Sequence, residues 1–183
     1  LSARLDCGDR LVAAVDDVDE AAGMLRIRVM GMDPEQDPYH VHHAMVDLKT
    51  GDLVQLTKGD GTHKIDFSPD GEYYVDRWSR VDLPPVHELR RTADGSLIAE
   101  LATADHTGLL ASGWTEPERF VAKGRDGETD IWGVIIRPKN FDPSRSYPVV
   151  ERYRWVWIWT GDPAKADPDL IPQLSRHGEA CCH

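Results

Sequence analysis

The sequence predicts a mainly β chain, and three observations carry that prediction. Apolar and β-branched residues come in short alternating runs, turn dipeptides punctuate those runs, and helical periodicity is scarce. Candidate strands fall at 11–15, 25–30, 43–48, 53–57, 64–67, 73–78, 86–91 and 97–101. The turns between them have chemical reasons. Lys49-Thr50-Gly51-Asp52 offers a glycine for positive φ. Ser68-Pro69-Asp70-Gly71 presets φ with proline, braces the turn with aspartate and gives glycine the left-handed position. Ala93-Asp94-Gly95-Ser96 closes a hairpin of the same kind. The strands fall into two groups of four, 11–57 and 64–101. Three of their four members recur at intervals of about 43 to 48 residues, the range of propeller blades. Two blades and a small eight-stranded sandwich both satisfy this pattern.

Composition removes several function classes. The net charge of −11 opposes a nucleic-acid partner, since phosphate backbones call for a surplus of lysine and arginine. The acidic residues are spread along the chain, as on a solvated surface. No run of 18 apolar residues exists to span a membrane. The segment from Leu1 to Asp6 has neither the basic nor the apolar part of a signal peptide. The chain starts without methionine, so its true start is expected upstream and the compartment stays open. Three cysteines, Cys7, Cys181 and Cys182, do not make a disulfide framework.

From 102 to 117 the texture becomes small and polar, as in a linker. Strands resume at 118–122 and 131–137 around Gly124-Arg125-Asp126-Gly127, and Pro138 ends the second. A further strand begins at Tyr147-Pro148-Val149-Val150-Glu151. After Glu151 the pattern breaks. Trp155, Trp157 and Trp159 alternate, which on a strand would put three indoles on one face, either a partner or membrane-interface surface or an aggregation-prone tail.

Several strings, taken in order, resemble the dipeptidyl-peptidase IV-like branch of the prolyl oligopeptidase family. Asp37-Pro38-Tyr39 with His43 and Val46-Asp47-Leu48 is similar to one propeller strand of that branch. Leu56-Thr57-Lys58-Gly59, His63 and Phe67-Ser68-Pro69-Asp70-Gly71-Glu72-Tyr73 resemble the opening of its next blade. Val75-Asp76, Ser79 and Pro84-Pro85 continue the likeness, and Trp114-Thr115-Glu116-Pro117-Glu118 resembles the exit from the propeller. Gly124 to Gly127, Gly133-Val134-Ile135, Arg137-Pro138 and Tyr147 to Glu151 resemble the first hairpin and next strand of an α/β-hydrolase domain. The resemblance spans 10–151 and implies the last blades of an eight-bladed β-propeller running into the first strands of that domain, with an irregular C-terminal tail. The implied division is 1–105 propeller, 106–151 linker and start of the peptidase domain, and 152–183 a tail that departs from the family. A change of frame or a mis-assembly near 152 is the reading offered for that departure.

The family cleaves peptide bonds with a Ser-Asp-His triad whose serine sits on a Gly-x-Ser-x-Gly elbow. This sequence has no such string; Ser112 precedes Gly113 but follows Leu110 where glycine is needed. The resemblance puts the triad beyond His183 and the glutamates that hold a substrate amine before Leu1. No cofactor is implied, the intact parent would act on peptides, and the chain alone is expected to be inactive. Tyr153 lies near the family's oxyanion-stabilising tyrosine, although Arg154-Trp155-Val156 is not the expected continuation and the spacing is one residue short. His40, His42 and His43 invite a metal reading, since His40 and His42 would share one strand face, but no third ligand stands nearby and ordinary surface or core histidines are the commoner case. His177, Cys181, Cys182 and His183 have soft-ligand chemistry, yet adjacent cysteines rarely hold one ion. Asp126 and Asp130 beside Arg125 resemble an acid pair and also fit plain hairpin-turn chemistry. Besides a piece of a serine exopeptidase, two readings stand: a propeller-type interaction module, and a pseudo-enzyme that binds peptides.

Overall fold

The computed structural model describes residues 10–139, 141–152 and 155–171, which fall into two compact units that divide after Ile135. In the first, one sheet comprises β1 (Leu11–Asp19), β2 (Met24–Met30), β3 (Val41–Asp47) and β4 (Leu53–Gln55). A second comprises β5 (Thr62–Phe67), β6 (Tyr73–Arg80), β7 (Leu83–Arg91) and β8 (Leu97–Thr103). In both sheets the spatial order is the chain order and every neighbour is antiparallel. Each is therefore an up-and-down meander, the build of a propeller blade. Among the described residues no strand crosses from one sheet to the other, as the Greek-key connections of a sandwich require.

The turns follow from their residues. At the β3–β4 turn the Asp47 carboxylate accepts from the Lys49 amide at 2.7 Å and the Thr50 amide at 3.2 Å, and Gly51 takes φ 81°. Between β5 and β6 the Ser68 carbonyl accepts from the Gly71 amide at 2.9 Å, closing the turn that Pro69 presets.

Alternation sets the core. On β2, Leu25, Ile27 and Val29 are buried and pack with Met32, Ala44 and Val46, while Arg26 and Arg28 take the other face. Each such fully buried side chain contributes about 1.5–3 kcal/mol. Strand β3 departs from alternation: all five residues from His42 to Val46 are buried. Its second face meets the second sheet, where Met45 packs with Leu56 and Tyr74, bordered by Ile65 and Phe67. Arg26 lies over the Phe67 ring at 4.1 Å, a cation–π contact across the same seam.

After β8 a five-residue helix, α1 (Thr107–Ala111), occupies the stretch expected as linker. It leads to a hairpin of β9 (Glu118–Lys123) and β10 (Asp130–Ile135). This hairpin belongs to the first unit, where Arg119 Nη1 stands 3.3 Å from Asp60 Oδ2, so the expected boundary at 105/106 falls inside one compact unit.

The second unit holds a hairpin of β11 (Val149–Arg152) and β12 (Trp155–Ile158), then two 3-10 turns at Pro163–Lys165 and Pro168–Leu170. Both turns begin on an Asp-Pro pair. The Asp162 carboxylate accepts from the Ala164 amide at 3.1 Å and that of Asp167 from the Asp169 amide at 2.9 Å, capping the turns. The described part of the expected irregular tail thus holds one short strand and two single turns, with irregular residues between them. Trp157 and Trp159 spend their indole N–H groups on the carbonyls of Arg152 (3.0 Å) and Asp162 (2.8 Å), and the Trp155 side chain lies outside the described part.

Candidate functional site

The chemistry-bearing side chains of the first unit gather where β3 faces β5 and β6. His63, from β5, and Asp76, from β6, are fully buried. His63 Nδ1 meets both Asp76 oxygens, at 3.0 and 2.9 Å, and Nε2 meets the Gly59 carbonyl at 2.8 Å. Both ring nitrogens face groups that only accept, so the ring donates from both, in its doubly protonated form. Register completes the cluster: Asp76 pairs with Glu88, and Tyr74 with Arg90, across β6–β7. Arg90 Nη2 contacts Glu88 at 2.8 Å, and its Nε is 3.9 Å from Asp76. Two carboxylates thus balance one guanidinium and one imidazolium inside the protein, the condition for burying charge at all.

The neighbouring rings close the cluster from water. Trp78 stacks on His63 with centroids 5.7 Å apart, and His42 tilts against it at 4.8 Å. His42 places Nδ1 by the Thr57 hydroxyl (3.2 Å) and carbonyl (3.3 Å), and Nε2 by Gln36 Oε1 at 3.0 Å. Burial, and next the charge of His63, push the His42 ring down to about 4, so it stays neutral beside its charged neighbour. Burial also lowers His43, against the pull of Asp16, and His40, against Asp37 and Asp60. Burial raises the Tyr74 phenol, which stays protonated and donates to the Leu56 carbonyl at 2.5 Å, tying the two sheets together.

A second cluster centres on Asp60, whose carboxylate contacts Arg80, Arg119 and, at 3.2 Å, His40. Arg80 also reaches Asp82 at 2.6 Å. It borders a cleft of about 410 Å³ lined by Tyr39, His40, Thr62 and Ser79. In the second unit an apolar groove of about 400 Å³ is lined by Pro148, Val150, Trp157, Trp159, Pro168 and Ile171.

The residues singled out from sequence are not brought into one site. His40 precedes β3 and turns to Asp60, His42 turns to Thr57 and Gln36, and His43 points Nδ1 at Asp16 at 3.6 Å. Among the described residues no group of three or more His, Cys, Asp or Glu could hold a metal ion. Asp126 accepts from the Glu128 and Thr129 amides, both at 3.0 Å, and Asp130 pairs with Lys123 at 2.6 Å, so each acid has its own partner. Tyr153, His177, Cys181, Cys182 and His183 lie outside the described residues. Sequence reasoning passed over His63, Asp76, Glu88 and Arg90 as a group. The signal was there: Asp76 stands between Tyr74 and Trp78, an ionised residue at an inward position of an alternating strand.

No family model matches the chain. It is 30% identical over 118 residues to a Schizosaccharomyces pombe protein named "putative dipeptidyl aminopeptidase", which covers 63% of this chain and 15% of that protein. A separate set of likenesses is short and close. The chain is 76% identical over 33 residues to the iron-sulfur subunit of a toluene-4-sulfonate monooxygenase system of Comamonas testosteroni, 18% of this chain and 10% of that protein. It is 47% identical over 38 residues to the oxygenase subunit of a vanillate O-demethylase of Pseudomonas, 21% of this chain and 12% of that protein. Among solved structures, dipeptidyl peptidase 4 of Porphyromonas gingivalis matches with TM-score 0.59 and 24% identity, over 81% of this chain and 20% of that one. A "putative dipeptidyl aminopeptidase IV" of Bacteroides ovatus matches with TM-score 0.57 and 26% identity, over 79% and 20%. The chain thus spans a fifth or less of the relatives it matches. Blade topology, the ordered strings and these likenesses agree that over most of its length the chain is dipeptidyl-peptidase IV-like.

Proposed function

We propose that the chain is a non-catalytic piece of a serine-type peptidase of the prolyl oligopeptidase family, one that releases dipeptides from peptide N-termini. Its own part is structural: two adjoining propeller blades and the hairpin after them. The observation that carries this is the state of the buried His63–Asp76 couple. A histidine serving a nucleophile needs one ring nitrogen free to take the proton. Here Nδ1 is held by Asp76 and Nε2 by the Gly59 carbonyl, so the couple has no lone pair to offer. It braces β5 against β6 instead. The absence of any Gly-x-Ser-x-Gly string supports the same reading.

The test is direct. The purified 183-residue chain is assayed on Gly-Pro and Ala-Pro chromogenic amides, and no turnover above buffer is expected. Turnover that co-purifies with the chain and is abolished by a serine-directed inhibitor would overturn the proposal. Saturable binding of such peptides without turnover would favour the pseudo-enzyme reading.

A further inference from the structure

We infer that the chain joins two stretches of different descent, the first peptidase-like and the second oxygenase-like, with the seam between Ile136 and Tyr153.

The peptidase resemblance spans residue 10 to Glu151, with its ordered strings from Asp37 onward, and then stops. A match of 33 residues at 76% identity is too close to share its residues with a 30% identical peptidase relative over any length. The one run of comparable length outside the 10–151 span of the peptidase resemblance is 152–183, which is 32 residues. A match of 38 residues is longer than that run, so it reaches at least six residues back, into Tyr147-Pro148-Val149-Val150-Glu151 and beyond. That short string is the part of the chain which both likenesses claim.

The structure supports the same division independently. The chain separates into compact units after Ile135, sixteen residues before the strings end. The second unit has a logic of its own. Strand β12 pairs with β11, the Trp157 and Trp159 indoles bond to carbonyls of that unit, and two Asp-Pro turns follow in register. A peptidase coding sequence read in a shifted frame would yield an arbitrary series of residues. It would not yield two consecutive turns with proline in place and an aspartate cap on each. The regularity of Asp162-Pro163 and Asp167-Pro168 therefore replaces the frame-change reading of this segment. The tail is a coherent piece of another protein, in its own frame.

The test uses the source cells. Long reads across the locus are expected to carry the codons of residues 10–135 into a coding sequence with a Gly-x-Ser-x-Gly elbow. Reads carrying the codons of 155–171 are expected to be preceded by other codons. Digestion of the cell's proteins after lysine isolates Asn140–Lys165, a peptide that spans the seam. It should be missing, while peptides from 65–123 are found. Detecting that peptide, or reads of even depth holding both stretches in one frame, overturns the inference. Either result leaves the peptidase reading of the blades intact, because that reading stands or falls on the chromogenic assay.

Discussion

Removing one partner from the buried charge cluster should destabilise the chain more than removing two. In Asp76→Ala the doubly protonated His63 keeps its Gly59 partner but loses the carboxylate that balances it, in a site with no exposed surface on either residue. Breaking such a pair from one side costs about 3–5 kcal/mol, because a buried charge is left uncompensated. That is a large share of the ~5–15 kcal/mol by which a domain is stable, so the urea midpoint should fall steeply. His63→Leu combined with Asp76→Leu removes both charges. It leaves one buried carbonyl, that of Gly59, without its donor, at about 1–3 kcal/mol. The double variant should therefore lie between the wild type and Asp76→Ala. The assay is urea unfolding followed by tryptophan fluorescence, with Trp78 reporting from its stack on His63. A loss of less than about 1 kcal/mol for Asp76→Ala, or a double variant less stable than the single one, refutes the charge-balance argument.

Two further outcomes are expected. Stability should fall on acidification between pH 6.5 and 4, because the unfolded chain binds a proton there that the folded His42 refuses. The contribution is fully present above 6.5 and amounts to about 3 kcal/mol when lost; His40 and His43, lowered in the same direction, add to it. His42→Gln should flatten that part of a stability-against-pH curve, and an unchanged slope would refute the assignment. Gly95→Ala should lower the urea midpoint more than Gly51→Ala. Both sites have positive φ, but a Cβ at 95 would stand 2.9 Å from the Gln55 carbonyl oxygen, whereas at 51 it meets open space. The expected losses are about 2–3 and about 1 kcal/mol, and equal midpoints would sink the close-approach argument.

Most of the fold was legible in the sequence because it is local. Strands such as β2 and β6 carry their own alternation, and the hairpins their own turn chemistry, as at Lys49 to Asp52 and Ser68 to Gly71. The charge cluster was not legible in the same way. It depends on Asp76 standing opposite Glu88 and on His63 leaning across β5, and register is a property of paired strands, not of either one. The histidines show the opposite error. His40 and His42 suggest a shared face when read as one strand, but β3 begins only at Val41, so His40 sits in the preceding loop and turns to Asp60. Helix α1 is too short for periodicity to reveal, and its Gly108 speaks against it. The hairpin partner β12 was obscured by its tryptophans, which draw attention to aggregation before they suggest a strand.

The irregular pairing of the outermost strands has a bearing on how this protein behaves in a crowded solution. β1 carries an extra residue at Ala13 and again at Asp16, and β8 does so at Ile98 and Leu101. Each of these strands is one of the two free borders of its sheet. A border interrupted twice within nine residues or fewer offers an incoming strand no continuous row of amides and carbonyls to zip onto. Growth by ladder extension is hindered at these two borders, whereas β4 and β5, the opposite borders, pair without interruption. Ile98 and Leu101, the unpaired residues of β8, are exposed. Strand-to-strand association of these blades should therefore start from β4 or β5 in preference to β1 or β8.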